Sequence, residues 1–308
     1  MEERMNFISK RIRTLIAVFS FAALLTGSVI VGTEYASANH PVLVEGNCLG
    51  DGSAQRTLVP AGTCGDYDGD GRIGTAEDND LPFDRVFGTI NAANSAAGAA
   101  NNGMITIVAS GTFPEVVTLT GNVTLQGAPG VAANIDAVVQ GEPGSGARQN
   151  SPGIIINAPA NRYVVIRNII SRNWTSGIQI NGDSRVAIQN SKFENNVNYG
   201  IEVTGNARVA ISNTEVFASG FRQSGSGDFP TTAQPNPGKG IEFDDDSSGS
   251  IFATTVSGSF AAGISDQTGF SRPRNRNNVC VFNVNVFDNQ PNFENIRVSS
   301  QSCGSSGR

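Results

Sequence analysis

The chain has 308 residues, with 21 Lys and Arg against 27 Asp and Glu, four cysteines and a single histidine. A net charge of −6 argues against nucleic acid or anionic lipid as the main partner, since neither is neutralised by so few basic groups. With no histidine beyond His40, a Ser-His-Asp triad is excluded and a zinc centre is poorly supplied.

In chain order, Lys10, Arg11 and Arg13 precede an apolar run from Leu15 to Val31, and Ala36-Ser37-Ala38 offers a small-residue cleavage site before Asn39. Residues 1–38 therefore read as a signal peptide, the alternative being an uncleaved anchor. Either reading places the remainder outside the cytoplasm, secreted or otherwise extracytoplasmic. No later segment is apolar and long enough to span a bilayer, so no membrane span is expected after cleavage. In an oxidising compartment the four cysteines point to disulfides. Of the three possible pairings, proximity favours Cys48 with Cys64 and Cys280 with Cys303.

Residues 39–81 form an N-terminal segment that contains Asp-Tyr-Asp-Gly-Asp-Gly-Arg-Ile-Gly-Thr-Ala-Glu at 66–77, a full match to the twelve-residue EF-hand loop pattern. Asp66, Asp68 and Asp70 supply carboxylates at alternate positions and Gly71 permits the turn. Arg72 offers its carbonyl, Gly74 leaves room for water, and Glu77 closes the shell. The expected ligand is Ca2+. Pro60, Gly62 and Gly65 disfavour an entering helix and no second loop pairs with this one, so a structural ion is expected rather than a sensor. The loop resembles the single calcium loops of bacterial dockerins. Residues 82 to 93 are expected to form a cap that seals the first strands of the folded part against edge pairing.

From residue 158 onward the chain repeats with a period of 23. Gly177-Ile178-Gln179-Ile180 recurs as Gly200-Ile201-Glu202-Val203, then, after a 17-residue insertion, as Gly240-Ile241-Glu242-Phe243, and again as Gly263-Ile264-Ser265-Asp266. A degraded copy is read at Asn295-Ile296-Arg297-Val298. In register with it, Val186-Ala187-Ile188-Gln189-Asn190 matches Val209-Ala210-Ile211-Ser212-Asn213. The apolar/polar alternation predicts two strands per repeat. Such a unit buries its apolar face only by stacking on its neighbours. Ile178, Ile201, Ile241, Ile264 and Ile296 are then expected to form an internal ladder. Asn168, Asn190, Asn213 and Asn283 are expected to form a turn ladder, interrupted by Ala253.

Together with the entry segments Thr89 to Asn94, Ile105 to Glu115 and Val123 to Gly127, this repeat resembles the pectin-lyase-like superfamily. The resemblance implies an all-β fold, a right-handed parallel β-helix of about seven coils over 82–298, with a short N-terminal capping helix and a tail at 299–308. It implies little about activity, because that superfamily includes lyases, hydrolases, esterases, adhesins and non-catalytic surface proteins.

The outward column of the repeated strand is Gln179, Glu202, Glu242, Ser265 and Arg297. Glu202 and Glu242 fall on adjacent coils, close enough to raise one pKa or share a cation. Asp244, Asp245 and Asp246 follow, Asp183 and Asp266 sit near equivalent turns, and the insertion brings Arg222, Asp228 and Lys239 to the same side. One reading is a calcium-assisted lyase on acidic polysaccharide, with Arg222 or Lys239 as base and Glu202, Glu242 or Asp244 as cation ligands. A glycoside hydrolase is a related reading. The preferred one is a non-catalytic protein that binds polysaccharide or a cell-surface component, its acidic column being a solvated face. Trp174 is equally a sugar-stacking platform or a turn aromatic covering a coil edge. Asn122 and Asn173 begin glycosylation motifs, and Ser271 to Arg276 reads as a solvated basic turn.

Overall fold

The computed structural model describes residues 42–45, 86–98, 103–136, 151–220, 238–267, 279–289 and 291–296. The signal segment, the 66–77 loop, Cys48, Cys64, Cys303, Arg222, Asp228, the 271–276 turn and Arg297 lie outside them. All the described residues belong to the unit Pro41–Arg308. No cysteine among them is free.

Each coil contributes three short strands to three parallel sheets. One coil runs Tyr163–Arg167, Ile169–Arg172 and Ser176–Ile180; the next runs Arg185–Gln189, Lys192–Glu194 and Tyr199–Val203. Each strand pairs in parallel with its equivalent one coil on. Among the described residues the result is a first sheet of nine strands and a second and third of seven each, a right-handed parallel β-helix as the resemblance implied. The repeat has three strands, two of which the alternation exposes. The strand missing from the sequence reading is the second-sheet one, Lys192–Glu194 and its equivalents Glu215–Phe217 and Thr255–Ser257.

The interior follows the repeat. Ile178, Ile201, Ile241 and Ile264 are in register and fully buried, and the ladder extends back through Ile154 to Val117. Its last rung is Phe293 rather than Ile296. The final coil is longer, so the true equivalent of Gly263-Ile264-Ser265-Asp266 is Asn292-Phe293-Glu294-Asn295. Ile296 only packs against the core edge.

The turns explain the asparagines. Asn168, Asn190, Asn213, Ala253 and Asn283 leave the first sheet with φ between 46° and 54°. This is left-handed backbone that asparagine tolerates better than most residues. Asn168 donates to the Gly127 carbonyl at 3.1 Å, but the side chains of Asn190 and Asn213 are exposed and bond to no described residue, so conformation rather than side-chain stacking selects them. A second left-handed position, between the second and third sheets, is filled by Asn173, Asn195, Ala218, Gly258 and Asp288.

The helix Ile90–Gly98 covers the start of the solenoid. Glu115, from the first coil, accepts from the amides of Ile90 at 2.6 Å and Asn91 at 3.0 Å, meeting two donors that a helix start leaves unpaired. Asn91 and Asn94 donate to the carbonyls of Val116 and Thr118, both at 2.8 Å, and so occupy the edge of the outermost third-sheet strand. On the first sheet, Val42–Val44 pairs between Gly103–Ile107 and Val86–Phe87. Trp174 is fully buried and donates its indole N–H to the Ile135 carbonyl at 3.0 Å. It is therefore part of the core and not a sugar platform.

Candidate functional site

The outward face of the third sheet carries the charged column, and the register gives its members as Gln179, Glu202, Glu242, Ser265 and Glu294. Glu294 takes the place expected for Arg297, for the same reason that Phe293 replaces Ile296.

A second file of side chains joins this column because of the glycine that opens each repeat. A Cβ on Gly200 would overlap Val216 Cγ1 and lie 2.7 Å from the Gly240 carbonyl. A Cβ on Gly240 would lie 2.5 Å from both the Gly263 carbonyl and Val256 Cγ1. Only glycine fits against the second-sheet side chains. The preceding residues, Ser176 and Lys239, reach the outward column, as their bonds show. Ser176 Oγ donates to Glu202 Oε2 at 2.9 Å, and Lys239 Nζ donates to Glu242 Oε1 at 2.5 Å.

The upper half of the column is closed on itself. Lys239 and Glu242 side chains are only 7% and 5% exposed. The ammonium also reaches Ser265 Oγ at 3.2 Å and Glu294 Oε2 at 3.3 Å, which engages all three of its donors. Ser265 in turn donates to Glu294 at 2.8 Å and accepts from Gln267 at 3.0 Å. Glu242 is thus not the solvated carboxylate expected of an exposed strand face. Burial here is tolerated because the charge is paired and hydrogen-bonded.

Glu202 lies one coil below. Its carboxylate accepts from Ser176 and, at 3.2 Å, from Gln179 Nε2. Burial pushes its pKa above the ordinary value, and the negative charges of Glu242 and Asp244 push the same way, against the two hydrogen bonds. Glu294 goes the other way. Burial alone would raise it, but the Ser265 hydroxyl, the Lys239 charge and Gln267 together hold it below the ordinary value.

The acidic turn follows the third-sheet strand Lys239–Phe243. Asp244, Asp245 and Asp246 are exposed, Asp244 accepts from the Asp245 amide at 2.7 Å, and Asp245 accepts from the Gly205 amide at 3.0 Å. Asp183 is exposed and accepts from Asn206 at 2.9 Å. Asp266 pairs in register with the core residue Phe243 and is 5% exposed. Among the described residues no cluster of three or more acidic, His or Cys side chains is placed to hold a metal ion.

The sequence thus exposes Glu202, Glu242 and Lys239 but not their partners Ser176 and Glu294, nor Gln267, which donates to Ser265. Ser176 was legible in principle, since it and Lys239 both immediately precede the repeat glycine.

Residues 98–234 and 152–305 match the family described as right handed beta helix region. Among solved structures the chain is similar to the pectin methylesterase from Aspergillus niger in deglycosylated form, with 14% identity and a TM-score of 0.36 over 71% of this chain and 79% of that chain. No curated protein matches.

Proposed function

The chain belongs to the right-handed beta helix family, and on that scaffold we propose a secreted, calcium-binding protein that binds polysaccharide or another cell-surface component without catalysing a reaction on it. The observation that supports this reading most is the closed state of the charged column. Glu242, Lys239, Ser265 and Glu294 satisfy one another, and Glu202 accepts from two protein donors. Side chains committed in this way order a strand face rather than wait for a substrate.

Secretion rests on the leader at 1–38, and calcium on the donor set of the 66–77 loop. Asp66, Asp68, Asp70, the Arg72 carbonyl and Glu77 are all oxygen donors, as a hard cation requires. The ion would hold the connection between Val42–Val44 and Val86–Phe87, two neighbouring strands of the first sheet. Disulfides Cys48–Cys64 and Cys280–Cys303 complete the proposal.

One observation favours a second reading, a calcium-assisted lyase or glycoside hydrolase on acidic polysaccharide. Glu202 has a raised pKa, as a general acid requires. In that reading Lys239 acts as a base only after leaving Glu242, Ser265 and Glu294, and Arg222 is the other candidate base. Affinity electrophoresis through gels cast with acidic and neutral polysaccharides, with and without calcium, tests binding directly. Retardation in at least one gel without loss of the polysaccharide is expected; unretarded migration in all of them contradicts the proposal.

A further inference from the structure

Away from the charged column, an open cavity of about 580 Å3 runs along the corner between the first and second sheets. That volume is in the range of sites that hold small organic ligands. One side is the loop Ala128–Val131, closed by a Val131 to Ala128 backbone bond of 3.0 Å. The other is built by repetition. Asn168, Asn190 and Asn213 line it from three successive coils, each in left-handed backbone that fixes where its side chain starts. Successive coils are about 4.8 Å apart, so the groove offers a carboxamide at each step along the solenoid axis.

The carboxamides of Asn190 and Asn213 are exposed and bond to no described residue, so each has donors and an acceptor to spare. Beside them Ile170, Lys192 and Glu215 stand in register on the second sheet and line the same cavity. Lys192 is held at 2.9 Å from Glu194 and 4.0 Å from Glu215. Its charge is balanced, so the groove attracts neither an anion nor a cation strongly. What remains is a row of amide donors and acceptors beside the apolar surface of Ile170, Pro129 and Val131. Hydroxyl groups alternating with C–H faces along an extended chain match that surface.

From this geometry we infer that the groove lined by Asn168, Asn190 and Asn213 binds a neutral polysaccharide chain lying along the solenoid axis. The inference rests on the polysaccharide-binding proposal and adds its place and its charge class.

The test is calorimetric titration of the full chain with cellohexaose, xylohexaose and maltohexaose as neutral probes and hexagalacturonate as the acidic one. The variant Asn190→Gly/Asn213→Gly removes both carboxamides while glycine keeps the left-handed backbone. Asn283→Gly, in the same turn ladder but outside the groove, is the control, and an unchanged melting temperature shows that each variant folds. At least one neutral hexamer should bind, about tenfold or more weaker to the double variant and unchanged for the control. Neutral binding that the double variant leaves intact overturns the groove but leaves polysaccharide binding standing. Binding of hexagalacturonate alone overturns the charge class, and binding of no probe overturns the inference together with the reading beneath it.

Discussion

At Lys239 and Glu242, burial sets the effect of a substitution. Lys239→Met leaves Glu242 buried beside no cation and should cost about 3–5 kcal/mol in urea unfolding, whereas Lys239→Met/Glu242→Leu should recover most of it. A loss below about 1 kcal/mol for the single variant would mean an exposed pair. Gly200→Ala places a methyl against Val216 and the Gly240 backbone and should cost about 1–3 kcal/mol. Gly121→Ala, with nothing within 4 Å of the added carbon, should stay within about 0.5 kcal/mol of the parent. Glu202 predicts a pH dependence of definite sign. Its folded pKa lies above the ordinary 4.5, so the stability it contributes is complete below that value and is lost as pH rises through the folded pKa. Glu202→Gln, fixed in the neutral form, should therefore gain stability over the parent as pH rises from about 4 to 8. A difference that is flat across that range, or that narrows with pH, contradicts the assignment.

Single elements differ in how far sequence exposes them. Third-sheet strands such as Ser176–Ile180 and Tyr199–Val203 announce themselves because two inward aliphatics, an outward polar residue and an obligatory glycine recur together. Second-sheet strands such as Lys192–Glu194 and Glu215–Phe217 have three residues and one inward position each, Phe193 and Val216, too short a stretch for any period to show. The first turn was legible because Asn recurs there. The second was not, because Asn195, Ala218, Gly258 and Asp288 meet the same backbone demand with four residue types. The last coil misled the reading because its extra length let a chance Ile296 stand where Phe293 belongs. The capping helix was visible as an element, but not the Glu115 carboxylate that fixes its start. Glu115→Ala should cost about 1–2 kcal/mol, seen as faster amide exchange at Ile90 and Asn91 than in coils further along. Unchanged exchange there would mean that Thr89, which also accepts from the Ala92 amide at 3.2 Å, caps the helix unaided.

Over the whole molecule, each coil touches mainly its neighbours, so stability is close to a sum of coil and interface contributions and losses begin at an end. If calcium holds the segment between Val42–Val44 and Val86–Phe87, chelation should lower the melting temperature, by roughly 2–4 °C for each kcal/mol lost. Asp66→Ala should abolish that response. Exchange should quicken first at Gly103–Ile107 and last in the middle coils; an unchanged melt with chelator counts against the ion. The larger question is whether a column that satisfies itself also does chemistry. The most direct measurement is a time course of unsaturated-product absorbance and new reducing ends, with calcium present, on a panel of acidic polysaccharides. The closed Lys239–Glu242–Glu294 network predicts no product above background from the wild-type chain. Turnover that Glu242→Gln abolishes would contradict it.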